Sequence, residues 1–236
     1  MQAKAIAALN AKYYPHYVKP DARLDTTIRR YLRPEHLVLD AGAGRGEAFQ
    51  YDYKNWVQRV VGVDLEEEVV ENSNLDEGYV ADLAELRFRD ATFDLVLSRS
   101  VFEHFQDPVS VLKELRRVLR PGGHLIFRTP NRYHYYAIVA SLTPHRFHQW
   151  FNEKRGFAGA DTFPTFYRAN DRFTLRRLAQ ATSFTVRELE LFEIRPEYLF
   201  FHPMAYRAGI VYERLVRRFE QLKDLRSNII GVFEAT

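Results

Sequence analysis

Cysteine is absent from the 236 residues. That excludes a disulfide framework, a thiolate zinc site and a cysteine nucleophile. It also makes a cytoplasmic location the expectation. Long apolar runs are missing too: none reaches the ~20 residues that span a bilayer. Met1 to Asn10 is Ala-rich with a single Lys. It lacks the apolar stretch of a signal peptide. No charge sign dominates, with 34 Lys and Arg against 31 Asp and Glu, a net +3. Such a balance permits an anionic partner without requiring one. No internal repeat or low-complexity segment is visible. What is present is a globular composition, 46% hydrophobic and 28% charged, long enough for one large domain with an insertion and a substantial core.

Asp21 to Leu32 has Leu24, Ile28 and Leu32 at helical spacing and stops before Pro34. Leu37-Val38-Leu39 is a short unbroken apolar run, the mark of a strand buried on both faces of a parallel sheet. It ends in Asp40 and a glycine cluster, Gly42, Gly44 and Gly46. Val60 to Val63 repeats the pattern and ends at Asp64. Gly78 to Ala81 repeats it again and ends at Asp82. Phe93 to Ser98 is a fourth strand. Asp107 is a suitable N-cap with Pro108 at the first helical position. Val111, Leu112, Leu115, Val118 and Leu119 then form one apolar stripe, which Pro121-Gly122-Gly123 ends. His124 to Arg128 is a fifth strand. Strands alternating with helices predict a Rossmann-like, doubly wound α/β sheet. Phe173 to Thr182 reads as a helix, Thr185 to Phe192 as a strand, Pro203 to Lys223 as a long helix and Asn228 to Glu234 as a final strand. The last two strands can pair antiparallel at the sheet edge.

Between Asn131 and Asn170 ten of forty residues are Phe, Tyr or Trp, 25% against 14% for the whole chain. This segment is expected to be an aromatic-rich cap insertion. The expected organisation is therefore a single domain: an N-terminal lid and helix over 1–33, a cofactor-binding core over 34–130, the cap over 131–170 and the rest of a seven-stranded, mostly parallel sheet over 171–236.

Ligands of open α/β sheets bind beyond the carboxyl ends of the strands. Asp40, Asp64 and Asp82 stand at three such ends, beside the turn Gly42-Ala43-Gly44-Arg45-Gly46. Each alone can be a helix cap or a tight turn. Together they describe a nucleoside site, with Asp64 at 22 residues after Gly42 in place to accept hydrogen bonds from both ribose hydroxyls. The dinucleotide pattern G-x-G-x-x-G fits poorly, because the third glycine comes one residue early and Glu47 takes its place. Asp40 suits a ligand with an ammonium group better than one with a phosphate.

The run Val38-Leu39-Asp40-Ala41-Gly42-Ala43-Gly44-Arg45-Gly46 carries a resemblance. So do Val63-Asp64, Ala81-Asp82-Leu83, Phe93 to Val96, Val101-Phe102-Glu103-His104-Phe105 and Arg117 to Gly123. In these the chain resembles class I S-adenosylmethionine methyltransferases of the methyltransferase type 11 kind, from Val38 to about Asn131. The resemblance implies S-adenosyl-L-methionine as cofactor and S-adenosyl-L-homocysteine as product. It implies that Asp40, Ala41, Gly42, Ala43, Gly44 and Gly46 hold the methionine part. Asp64 with Leu65 would take the ribose, and Ala81, Asp82 and Leu83 the adenine. Ser98 and Arg99 would line the methyl-donor pocket. It also implies an antiparallel last strand. The aromatic segment is loosely similar to methyltransferases of bacterial glycan and glycolipid gene neighbourhoods, which suggests a small-molecule, glycan or lipid-linked acceptor.

Methyl transfer to a hydroxyl needs a proton removed, a task histidine suits near neutral pH. His104, just after the fourth strand, is the first candidate base. It can equally hold its loop or touch the cofactor. His134, His145 and His148 in the cap are further candidates. Tyr14 can form part of a lid over the cofactor or pack structurally. The basic amphipathic stretch 203–223 can pack on the domain or lie on an anionic membrane. Ser98-Arg99-Ser100-Val101 stands where nucleobase-amine methyltransferases carry Asn/Asp-Pro-Pro-aromatic, and no dense basic patch interleaves with aromatics. Both features argue against a nucleic-acid substrate. The alternative outside catalysis is a nucleoside-binding regulatory protein on the same fold.

Overall fold

A computed structural model describes residues 2–46, 53–142 and 163–236. The helices are α1 (Gln2–Tyr13), α2 (Pro20–Tyr31), α3 (Pro108–Val118), α4 (Tyr135–Leu142), α5 (Arg172–Ala181) and α6 (Pro203–Arg218). The strands are β1 (Leu37–Ala41), β2 (Arg59–Asp64), β3 (Glu77–Val80), β4 (Phe93–Arg99), β5 (Leu119–Pro130), β6 (Phe184–Phe192) and β7 (Asn228–Ala235). The chain divides into two compact units. The first comprises 1–20, 130–164 and 191–228. The second comprises 21–129, 165–190 and 229–236 and holds nearly all of the sheet.

The sheet order is β3-β2-β1-β4-β5-β7-β6, with β1 to β5 pairing parallel. β7 runs the other way. Its start meets the end of β5, where Asn131 N donates to Ser227 O. Its far end meets the start of β6, where Thr236 N donates to Ser183 O. The expected antiparallel last strand is therefore the one inserted between β5 and β6. Val38, Leu39, Leu95, Val96, Leu125 and Ile126 are all fully buried, as central parallel strands covered on both faces require.

α3 forms where its cap and stripe predict. Asp107 accepts from Val109 N at 3.1 Å and Ser110 N at 3.3 Å, and Val111, Leu112, Leu115 and Val118 are buried. Asp171 caps α5 in the same way. Two boundaries differ from the expectation. β5 starts at Leu119 rather than His124, because a bulge lets Arg120 to Gly123 ride within the strand while β4 advances only from Phe93 to Leu95. Gly122, at φ +78, makes that turn. The long helix ends at Arg218, where Phe219 becomes extended, and Glu220–Leu225 continues as a 3₁₀ turn. α1 has no counterpart in the sequence pattern. In the first unit Ile6 packs with Tyr206 and Ile210 of α6, and this contact gives the Ala-rich stretch a reason to be a helix.

Candidate functional site

The second unit places the ends of β1, β2 and β3 side by side. Ala41 pairs with Val63 and Asp64 with Val80. The chain leaving β1 turns at once: Gly42 N and Ala43 N both donate to Val63 O, at 2.8 and 3.2 Å. Gly44 N donates to Asp64 Oδ2 at 2.8 Å. Gly42 sits at φ +82, and a Cβ there would lie 2.2 Å from Val101 Cγ2. Conformation and space both demand glycine at that turn.

The loop is held from its far side by two residues that no spacing rule singled out. Asn72 Nδ2 donates to the carbonyls of Ala43 and Gly44, at 3.2 and 3.0 Å. Asn74 Nδ2 donates to Gly46 O at 3.0 Å, and Asn74 N donates to Asn72 Oδ1. The available signal was Asn72-Ser73-Asn74, small polar residues that bond backbone readily. Nothing in that triplet points to a loop 28 residues upstream.

The three aspartates differ in how much of their bonding capacity the protein uses. Asp64 accepts Gly44 N with one oxygen and Glu66 N, at 3.1 Å, with the other. A carboxylate has about four acceptor positions, so about two remain. Asp82 Oδ1 accepts Ala84 N at 2.8 Å. The Asp40 carboxylate accepts no hydrogen bond among the described residues. Burial pushes its carboxyl up to about 6, with Arg99 pulling it down and Asp64 pushing it up further. Leu83 is buried while Leu65 is exposed beside Asp64.

At the end of β4 the Ser98 side chain is 1% exposed, and its Oγ has no partner among the described residues. Arg99 and Arg128 are register partners on β4 and β5. Both reach Asp21 Oδ1 of α2, at 3.3 and 3.2 Å. Ser100, at φ +57, turns the chain into the 3₁₀ segment Phe102–His104. That segment is firmly seated. Phe102 stacks on Phe127 with centroids 4.1 Å apart. Buried Glu103 accepts from Thr129 Oγ1 at 3.2 Å, and Thr129 Oγ1 accepts from Asn170 Nδ2 at 2.6 Å. The Glu103 carbonyl accepts from Phe166 N and Tyr167 N. Burial raises the Glu103 carboxyl above its ordinary value. His104, half-buried, is thus carried on a rigid turn, its N–H donating to Val101 O at 2.9 Å.

This geometry meets the comparisons with known proteins. Residues 39–127 match the family model described as "Methyltransferase domain". The match covers less than half of the chain. A sarcosine/dimethylglycine N-methyltransferase of Halorhodospira halochloris is 36% identical over 115 residues, 44% of this chain and 41% of its own length. A ubiquinone biosynthesis O-methyltransferase of Hahella chejuensis is 32% identical over 152 residues, 57% of this chain and 63% of its own. The chain thus spans less than two thirds of either relative. A geranyl diphosphate methyltransferase solved in complex with SAM shares the fold, with a TM-score of 0.58 at 16% identity over 100% of this chain and 90% of the other.

Within the matched residues 39–127 lie Asp40, Ala41, Gly42, Ala43, Gly44, Gly46, Asp64, Leu65, Ala81, Asp82, Leu83, Ser98, Arg99 and His104. The remaining candidates do not. Tyr14 belongs to the first unit, where its hydroxyl donates to Glu213 Oε2 at 3.2 Å. His134 is buried in the same unit, between Tyr135 and Tyr212, with Nε2 3.7 Å from Glu193 Oε1. Burial lowers its pKa to about 3 and raises that of Glu193 to about 7. His145 and His148 lie outside the described residues, as does most of the expected cap.

Proposed function

We propose that this chain is an S-adenosyl-L-methionine-dependent methyltransferase that methylates a hydroxyl of a small-molecule, glycan or lipid-linked acceptor. The observation that carries the reading is the set of polar groups the second unit leaves open at one sheet end. Asp40 accepts no hydrogen bond from a described residue, Asp64 has spare acceptor positions, and a glycine loop is held by Asn72 and Asn74. This set fits the cofactor. Asp40 matches its ammonium group, Asp64 its ribose hydroxyls, and Asp82 with Leu65 and Leu83 its adenine. Ser98 adds an oxygen close to the end of β4.

The bound cofactor supplies a methyl group already activated by positive sulfur. The chain's own residues then have to position and deprotonate. Fixing two reactants in line is worth ~7–11 kcal/mol of barrier. His104, held by the Glu103–Thr129–Asn170 network, takes the acceptor proton as general base. Among the described residues no helix is long and apolar enough to cross a membrane.

Calorimetric titration with S-adenosyl-L-methionine, S-adenosyl-L-homocysteine and NAD tests the site. Saturable binding of the first two without NAD is the expected outcome. Transfer of labelled methyl to a fraction of cell extract then tests the chemistry. Cofactor binding without transfer to any fraction would leave a regulatory binding protein, and NAD binding would overturn the cofactor assignment.

A further inference from the structure

Within the first unit, α6 buries Tyr206, Gly209, Ile210, Glu213 and Val216. The opposite side is not the polar face that solvent normally selects. Met204 is 63% exposed, Val211 59%, Leu215 46% and Phe219, at the C-terminal cap, 45%. At 3.6 residues per turn, Met204, Ala208, Val211 and Leu215 form one stripe edged by Arg207, Arg214 and Arg218, all within an arc of about 120°. The helix has one acidic residue, Glu213, and it is buried. Arg214 lies over the Tyr13 ring at 4.6 Å. Among the described residues, Arg207, Arg214 and Arg218 form no ion pair with a carboxylate. The arginine edge opens onto a groove of about 500 Å³ lined by Tyr13, Tyr14, Glu213, Arg214, Arg217 and Arg218. Glu213 does not make that groove acidic, because it pairs with Arg217 and accepts from Tyr14.

We infer that this face of α6 docks on an anionic lipid bilayer. The apolar stripe enters the boundary between headgroups and acyl chains, and the arginine edge and its groove take the phosphates. A large exposed apolar stripe marks an interaction surface. Arginines beside it, with no exposed acid on the helix and the neighbouring Glu220 paired to Lys223 and Arg226, select an anionic occupant. A second copy of the chain fits worse, because a two-fold pairing of this face sets arginines against arginines.

Sedimentation of the full chain with vesicles tests this. Vesicles of phosphatidylcholine with roughly one-third phosphatidylglycerol should bind the chain, and pure phosphatidylcholine should not. Arg207→Gln, Arg214→Gln and Arg218→Gln together should weaken binding about a hundredfold, at about a fivefold loss per arginine. Val211→Gln with Leu215→Gln should leave a weak binding that high salt abolishes. These side chains are exposed, so the melting temperature should hold and confirm that the variants fold. A tryptophan introduced by Phe219→Trp should shift its emission to the blue on anionic vesicles. Equal binding to both vesicle types, or none to either, would overturn the inference. So would a dimer in light scattering that Val211→Gln dissociates, since the face would then belong to a second copy.

Discussion

Two carboxylates with raised pKa values, one in each unit, separate the proposed binding site from an interior. Burial raises both, Asp40 to about 6 and Glu193 to about 7. Around Glu193 only one oxygen is answered: Ile194 N donates to Oε1 at 3.0 Å with neutral His134 beside it, while Oε2 is buried with no partner among the described residues. Around Asp40 no described residue donates a hydrogen bond, and next to it Asp64 keeps acceptor positions in hand. The two histidines differ in exposure. His134 is enclosed by Tyr135, Tyr212 and Glu193, while His104 is half-exposed on a turn braced from below. Burial alone therefore does not mark a functional group. What distinguishes Asp40 is its place at the carboxyl end of a parallel strand beside a glycine turn.

The sharpest break of this comparison is kinetic. His104→Ala should lower methyl transfer by about 10²–10⁴-fold with cofactor affinity unchanged in calorimetry. His134→Gln should leave both rate and affinity near the native values. A reversal of these outcomes would move the base to the first unit.

Asp64→Ala comes next. It removes two charge-assisted hydrogen bonds to ribose and strands Gly44 N. Binding of S-adenosyl-L-homocysteine should weaken by about 3 kcal/mol, roughly a hundredfold. Unchanged affinity would count against the ribose assignment.

The His134–Glu193 pair makes a prediction about stability. Glu193, with its folded pKa raised from 4.5 to about 7, contributes stability below pH 4.5 that is lost as pH rises through 7. His134, lowered from 6.5 to about 3, does the opposite: its contribution is present above pH 6.5 and lost as pH falls through 3. Between pH 4.5 and 6.5 the two proton counts cancel, so this pair adds no slope. His134→Gln unmasks the glutamate. Denaturant unfolding of that variant should lose about 1.4 kcal/mol per pH unit over this window relative to the native chain. A native-like profile would mean that Glu193 does not titrate as its burial dictates.

The smallest effect belongs to Asp40. Its carboxyl must be ionised to meet an ammonium group, so cofactor affinity should fall as pH drops below about 6. The slope should approach about tenfold per pH unit. Calorimetry of Asp40→Asn should show weaker binding with that slope gone.

Much of the site was legible in the chain because its signals are local. An apolar run ending in Asp, followed by glycines, is a strand followed by a tight turn, and three such endings in series align in a parallel sheet. Asp107 followed by Pro108 announced α3 for the same reason. The braces were not legible. Asn72 reaches back 28 residues to Gly44, Arg99 reaches 78 residues to Asp21, and Asn170 meets Thr129 across 41. Polar pairs at such separations leave no periodic trace. Tyr14 and His134 stay ambiguous in the sequence because tyrosine and histidine suit both catalysis and packing.

Sequence by itself determined the sheet, the glycine turn and the row of Asp40, Asp64 and Asp82, since each follows from backbone conformation and hydrophobic period over a few neighbouring residues. Tertiary structure alone decided which polar groups are spent internally and which stay open. That choice depends on donors and acceptors brought together from distant parts of the chain, and on how much water the packing around them excludes.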